Sequence, residues 1–442
     1  MQILATPRLP AALRLADILP LTVTRPLPVC RLCVVVPIRN EAEHLPTVVK
    51  ALAQQVDEQG HPVNPHSYEV LILANNCSDD SAAIAHSLQK EYSALQLHIV
   101  EVTLPKAEAH IGTARRMAMN EAYRRLCSIG QGSLQSSIIA STDGDTEVSA
   151  TWVSALLKEF DKGVDAVGGR ILTRRQTEAD INTPTSLYFL RYMAHGYLSA
   201  QLEALLDPQP HDCLPRHAQY HGANLAITAE MYGRIGGIPS IPSEEDVALY
   251  HRLQQADAKV RHSPHVRVMT SARQRGRASG GLADRLSQLA EVSQQRQAFL
   301  VEMSWLTESR ILVRRRLRET WKQLNGEVEN SFVVRKYAQS NSLLAKSLGL
   351  STARLREHIE VAPTFGYLIA AIEAEQKQRF EANLLTHLTT DVSVANMQIR
   401  QRLQSLRQQP IETAEALTGL HLHRLLQALE QVQAIPLFSL TG

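Results

Sequence analysis

Two aspartates one residue apart, Asp143 and Asp145, flank Gly144 just past the apolar run Ser137-Ile138-Ile139-Ala140. The run reads as a short buried strand, so both carboxylates fall where a strand gives way to a loop. In an open α/β sheet that edge is where ligands bind. Gly144 is expected to let the backbone turn so that both acids serve one centre. Two uses are open to them: an acidic turn, or a grip on a hard divalent cation that phosphate oxygens also hold. About a hundred residues on, Ser243-Glu244-Glu245-Asp246 opens a segment with helical periodicity at Val247, Leu249 and Leu253. Ser243 is expected to cap that helix. The helix N-terminus keeps a nearby carboxylate ionised, and an ionised carboxylate can take the proton of an attacking hydroxyl. The ordinary alternative for Asp246 is a partner of the helix dipole.

These acids need a scaffold, and the first half of the chain supplies strand and helix signals in alternation. Apolar runs at 31–37, 68–74, 97–102 and 138–140 read as strands. Helical patterns follow the first three, through Leu45, Val48, Val49 and Leu52, through Ala82, Ala85 and Leu88, and from Gly112 to Leu126. Such alternation about every 30 residues means a doubly wound, mostly parallel sheet. Further on, a helix is expected at 152–160, a strand at 164–171 with a glycine pair, and a helix at 185–205. A strand at 220–228, a helix at 231–235 and strand residues at Val260 and 266–268 complete this half. Neither the Gly-rich dinucleotide fingerprint nor a phosphate-binding P-loop follows the first strand.

Composition narrows the class. The 442 residues are enough for two or three domains, and 44% hydrophobic content is ordinary for a globular protein. A net charge of +2 carries no general field for nucleic acid. Five scattered cysteines point to a reducing compartment, and Cys30 and Cys33 are expected to be packed rather than to bind zinc. His211, Cys213, His217 and His221 match no standard zinc spacing and are expected to form a loop. No apolar run reaches the roughly 18 to 20 residues of a membrane span. The first 28 residues, with five prolines, lack the pattern of a signal peptide.

Five short pieces then fall in a recognisable order: Val34-Val35-Val36-Pro37-Ile38-Arg39-Asn40-Glu41, Asn75-Asn76-Cys77-Ser78-Asp79-Asp80, Gly112-Thr113-Ala114-Arg115-Arg116, Asp143-Gly144-Asp145 and Glu245-Asp246. In content and order, residues 31 to about 277 resemble a family 2 glycosyltransferase with the GT-A nucleotide-sugar-binding fold. The resemblance implies donor-binding roles for Pro37, Asn40, Glu41, Asn75, Arg115 and Asp143. It implies Mg²⁺ or Mn²⁺ held by Asp143 and Asp145, with Asp145 the closer ligand. A further His ligand is expected about twenty residues beyond the Glu-Asp pair. That position falls near Thr270, so either His265 serves through a shifted register or the metal keeps a water. Asp246 is the implied general base, with Glu245 beside it as an alternative or as a contact to the acceptor. Gly222-Ala223-Asn224 resembles the acceptor segment, giving Gly222 and Asn224 acceptor roles. Arg273 and Arg277, with Arg275, suit the donor pyrophosphate or an anionic acceptor, a solvated basic loop being the other use.

The expected organisation is an irregular arm at 1–30, a GT-A domain at 31–280 and an all-helical extension at 281–442. The expected activity is metal-dependent transfer of a sugar from a nucleoside diphosphate sugar to a hydroxyl acceptor, with inversion. The rival readings are a nucleotidyltransferase and a non-catalytic nucleotide-sugar-binding or scaffold protein. The expected setting is cytoplasmic. The basic run Arg314, Arg315, Arg316, Arg318 and Lys322 beside Trp321 suits anionic lipid at the inner face of a membrane or a partner, a solvated helix face being its default use.

Overall fold

The structure is a computed structural model. It describes residues 10–129, 134–174, 183–271, 282–295, 297–325, 342–379, 388–408, 427–428, 430, 432 and 434–438. Eight strands form one sheet in the order β3-β2-β1-β4-β7-β6-β8-β5. They are β1 (Leu32–Ile38), β2 (Tyr68–Asn75), β3 (Gln96–Val102), β4 (Ile138–Ser141), β5 (Thr146–Val148), β6 (Ala166–Arg174), β7 (Leu225–Thr228) and β8 (Val260–Ser271). β1, β2, β3 and β4 run parallel, as do β6 and β8, while β7 lies antiparallel between β4 and β6. This is the mostly parallel sheet that the strand–helix alternation predicts.

The apolar runs are continuous because both faces of the sheet are covered. On β1, Val34 and Val36 enter one core while Cys33 and Val35 enter the other. The first face is packed by α1 (Leu45–Ala53), α2 (Ser81–Glu91) and α4 (Trp152–Phe160), through Leu45, Leu52, Leu88, Trp152 and Phe160. The second is packed by α3 (Ile111–Cys127), α6 (Ala229–Arg234) and α7 (Glu245–Gln255), through Ala118, Met119, Tyr232 and Leu253. Burial pushes the thiols of Cys30 and Cys33 up, that of Cys30 to about 12, consistent with packing rather than reactivity.

α8 (Leu282–Gln294) packs on α5 (Thr183–Leu206), and a third core joins α5 to the other C-terminal helices: α9 (Ser304–Leu324), α10 (342–347), α11 (Thr352–Val361), α12 (Phe365–Arg379) and α13 (Val392–Gln408). Leu198, Leu202 and Leu206 of α5 share it with Leu312, Leu368 and Ile399. Among the described residues the extension is helical apart from one antiparallel strand pair, β9 (Leu300–Glu302) with β10 (Thr389–Asp391), which is too short to show as periodicity. The expected strand at 220–228 begins as a 3₁₀ turn, Gly222–Asn224, before β7. β5 was not expected. Val260 and Val266–Val268 belong to one strand, whose register shifts against β6 between Gly169 and Arg170.

The arginines of the basic run on α9 are half-buried and paired with carboxylates, while Lys322 is exposed. Arg314 pairs with Glu373 at 3.2 Å, Arg315 and Arg316 pair with Glu319, and Arg318 pairs with Asp207. Among the described residues no helix is long and apolar enough to cross a membrane. The proline-rich arm is docked: the N–H groups of Leu21 and Thr22 donate to Glu121 at 3.1 Å. Arg125 forks onto Glu69 at 2.8 and 2.7 Å and also donates to the Thr24 carbonyl. Burial works against the Glu69 carboxylate, but Arg125 and His98 hold its pKa down at about 2.

His217 gives the fold a pH dependence. It is buried, its Nε2 lies 3.0 Å from the Ser263 carbonyl, and its Nδ1 accepts from the Gln219 N–H at 3.1 Å. The neutral ring satisfies both neighbours and the imidazolium cannot, and burial holds its pKa down to about 4. The folded value lies below the unfolded one, so this stability is present above pH ~6.5 and declines as pH falls toward 4, by about 3 kcal/mol in all. Urea denaturation across that range should show His217→Gln to be less stable than wild type at pH 7 but with a shallower pH dependence. An unchanged slope would rule out the buried neutral ring.

Candidate active site

The sheet topology delivers the five sequence pieces to one edge. β1, β2 and β4 are parallel, so their C-terminal ends lie together. β7 is antiparallel to β4 with Leu225 opposite Ser141, which carries the turn 222–224 to the same edge. β5 pairs with the end of β8, Thr146 opposite Thr270. α3 follows β3 in the chain, and Arg115, near its N-terminal end, reaches this edge.

The loops after β1 and β2 are stitched together. Asn40 has φ 57°, a left-handed conformation that Asn tolerates. Its Oδ1 accepts from the Ser78 N–H at 2.7 Å. The N–H of Glu41 donates to Ser81 Oγ at 2.7 Å, and Glu41 is buried. Pro37 lies within β1, opposite Leu73. Asn76, at φ 50°, exchanges two hydrogen bonds with the backbone of Leu104. Asn75 is buried at the end of β2, and its Oδ1 has no hydrogen-bond partner among the described residues. Such an acceptor costs roughly 1–3 kcal/mol unless something donates to it.

Gly144 is required by contact rather than by its own torsion. A Cβ there would meet Ile38 Cγ2 at 2.7 Å and Glu41 Cγ at 2.9 Å, and its φ is not positive. The acidic loop thus lies directly against the β1–α1 loop. The Asp143 side chain is 34% exposed. Asp145 adjoins Thr146, whose hydroxyl donates to Thr270 Oγ1 at 2.9 Å.

Arg115 ties the edge together from beneath. Only 4% of it is exposed. Its Nε donates to Glu245 Oε1 at 2.9 Å and its Nη2 to Asp143 Oδ1 at 2.9 Å. Its Nη1 donates to Ser141 Oγ at 2.5 Å and to the Gly222 carbonyl at 3.1 Å. Burial opposes the charge, but Asp143, Glu245 and Asp246 more than offset it, and the Arg115 pKa is raised. Glycine at 222 makes room for this guanidinium, since a Cβ would lie 2.7 Å from Arg115 Cζ. Arg115 is therefore an internal strut between the acidic loop, the 222 turn and α7, which corrects the expectation of a direct donor contact.

Asp246 and Glu245 diverge. The helix cap is Glu244, in the left-handed region at φ 60°, not Ser243. Glu245 turns inward to Arg115 and is buried, which removes it from contact with an acceptor. Asp246 keeps 19% of its side chain exposed. Its Oδ2 accepts from the Gly222 N–H at 2.6 Å and its Oδ1 from the Val247 N–H at 2.8 Å.

Two other expectations change, and a third is untested. Asn224 is buried: its Oδ1 accepts from Trp152 Nε1 at 2.9 Å, and its Nδ2 donates to the carbonyls of Arg170 and Val266, leaving nothing for an acceptor. His265 is exposed on the face of β8 opposite Val266, Val268 and Thr270, so the strand's period of two carries it away from the acidic loop. His262, its neighbour, is buried with Nδ1 2.8 Å from Asp212. Arg273, Arg275 and Arg277 lie outside the described residues. Sequence reasoning passed over Ser141, whose only signal was its place at the end of a strand before the acidic pair.

Residues 33–215 match the model of the glycosyl transferase family 2. This part of the chain is thus similar to family 2 glycosyl transferases, and the chain is a glycosyltransferase. The match takes in β1, the Asn75 loop, Arg115 and the acidic pair, and ends before Asp246. Among solved structures, TarS 1–349 of S. aureus in complex with UDP-GlcNAc is 12% identical, covering 79% of this chain and 91% of that one at TM-score 0.40. The mannosyltransferase PcManGT from Pyrobaculum calidifontis, in complex with GDP-Man and Mn²⁺, is 15% identical over 94% and 89%, at 0.36. Glucosyl-3-phosphoglycerate synthase from Mycobacterium tuberculosis, in complex with Mn²⁺, UDP and glucosyl-3-phosphoglycerate, is 16% identical over 60% and 77%, at 0.32.

Removing the strut strands a buried carboxylate. Arg115→Met should therefore cost about 3–5 kcal/mol of folding stability, because Glu245 is left charged and unpaired. Arg115→Met with Glu245→Gln should recover part of that loss. Chemical denaturation of the three proteins checks this, and a single variant as stable as wild type would show that the ion pairs contribute nothing.

Proposed function

We propose that the chain is a metal-dependent, inverting glycosyltransferase that moves a sugar from a nucleoside diphosphate sugar to a hydroxyl acceptor. The observation that carries this reading is the Arg115 strut, which joins the acidic loop to the helix bearing Asp246. Donor-side and acceptor-side carboxylates are thereby held at one sheet edge.

Asp143 and Asp145 would hold Mg²⁺ or Mn²⁺. The donor set suits such an ion: hard carboxylate oxygens at a partly open loop. Among the described residues no group of three or more His, Cys, Asp or Glu side chains could hold a metal, so the remaining positions would fall to phosphate oxygens and water. When bound, the ion neutralises charge developing on the departing nucleoside diphosphate. Asn40, Glu41 and Asn75 would line the nucleotide, and the unpartnered Asn75 Oδ1 would accept from an N–H of the base.

Asp246 takes the proton of the acceptor hydroxyl as its oxygen attacks the anomeric carbon. The bond from that carbon to the phosphate oxygen breaks on the opposite side, and the configuration inverts. The two backbone N–H donors on Asp246 hold its carboxylate in orientation. Transfer belongs to residues 31–280 in this reading, with 281–442 as a helical extension. The five cysteines, all free thiols, accord with a reducing cytoplasmic setting.

Purified protein with Mn²⁺ and a panel of UDP- and GDP-sugars should release nucleoside diphosphate, and chelation should stop the release. Asp145→Ala should lose metal-dependent donor binding and release together. Asp246→Asn should still bind donor but transfer about 10²–10⁴-fold more slowly. Full activity in Asp145→Ala would overturn the metal assignment, and loss of donor binding in Asp246→Asn would overturn the base.

A further inference from the structure

The side chains expected to meet the acceptor, Asn224 and Glu245, are engaged inside the protein, and Gly222 uses both its backbone groups on Asp246 and Arg115. The neighbour of that turn, His221, is placed differently. Its side chain is 55% exposed, and its Nδ1 stands 4.0 Å from Asp246 Oδ2. The ring is not a loose surface group. It lies 5.1 Å from the Tyr220 ring at 36°, and Tyr220 is stacked on Tyr250 at 3.8 Å and 8°. Tyr250 in turn meets His262, at 3.3 Å between its hydroxyl and Nε2, and His262 is held by the buried Asp212. A chain of packed rings thus runs from the core to an exposed imidazole beside the one partly exposed carboxylate of α7's first turn. Such stacking fixes where the imidazole can go.

We propose that His221 orients the acceptor, and that the acceptor is a polyol or sugar presenting two adjacent hydroxyls, one to Asp246 and one to His221. Two hydrogen-bonding groups 4.0 Å apart suit a vicinal diol, whose oxygens stand about one hydrogen-bond length from each other. A lone hydroxyl, as on a serine side chain, engages only one of the two. Asp246 removes the proton of the attacking hydroxyl, and His221 holds its neighbour, so the attacking oxygen is presented in one orientation. This inference rests on the proposed glycosyl transfer and names its acceptor class.

The test uses the full chain, the donor that shows nucleotide release, and paired acceptors: cyclic polyols or sugars with a vicinal diol and the matching deoxy compounds lacking the second hydroxyl. Wild type should favour the diol by about tenfold in kcat/KM, the worth of one hydrogen bond. His221→Phe, which keeps a ring on Tyr220, should lose that preference through a higher acceptor KM with the donor KM unchanged. His221→Gln, which keeps a hydrogen-bonding group, should recover part of it. An undiminished diol preference in His221→Phe would overturn the proposal. So would a donor KM that rises in step with the acceptor KM, because that pattern marks a merely structural ring. If wild type releases nucleotide from no donor, the glycosyl-transfer reading fails and this inference with it. Release without a diol preference fails this inference alone.

Discussion

A buried guanidinium with a carboxylate on either side governs this molecule's functional edge. Arg115 cannot lose its proton in a folded protein, and removed from water it must be surrounded by acceptors. The chain meets that demand with four groups from four segments: Asp143 of the acidic loop, Ser141 of β4, the Gly222 carbonyl and Glu245 of α7. Each segment is thereby fixed against the others by a charge that tolerates no vacancy. Asp143 and the Asp246 helix are over a hundred residues apart in sequence, yet one side chain sets their spacing.

The rest of the fold serves that edge. Two apolar cores clamp the central strands, so the strand ends are rigid, and the loops they carry are stitched by Asn40 to Ser78 and by Glu41 to Ser81. The helical layer adds a second anchor to α7. Asp257, just past its C-terminus, accepts from the N–H groups of Phe365 and Gly366 at 2.7 Å each, capping α12. Thr364 donates to the Gln255 carbonyl. The helix that presents Asp246 is therefore held by the α/β sheet at one end and by the C-terminal helices at the other. His251 lies between, its pKa lowered by burial. The C-terminal helical layer thus bears on where the candidate base stands.

Much of the fold was legible in the sequence because parallel strands covered on both faces must be apolar at every position. Val34-Val35-Val36 and Leu71-Ile72-Leu73 admit little else. The short elements were not legible: β5 has three residues, and β9 and β10 are too brief to carry a period. For the site, residue types and their order named the acidic pair, Asn75, Arg115 and Asp246, but not the direction in which each side chain points. Arg115 was expected to contact the donor and faces inward. Asn224 was expected to face an acceptor and braces Trp152. Adjacent residues at a helix start, Glu245 and Asp246, go to opposite uses because Glu244 enters the helix from a left-handed turn. Such outcomes depend on packing partners distant in sequence. His221 was hidden for the same reason, since only the stack on Tyr220 and Tyr250 sets it apart from its neighbours.

The central claim is that one sheet edge, tied by Arg115, receives the donor. Hydrogen–deuterium exchange with and without a nucleoside diphosphate and Mn²⁺ tests it directly. The account predicts slowed exchange at 38–42, 76–81 and 142–147 together, with 221–223 and 244–247 slowed as well through the Arg115 ties. Protection confined to the helices beyond residue 281, or none at the acidic loop, would contradict it.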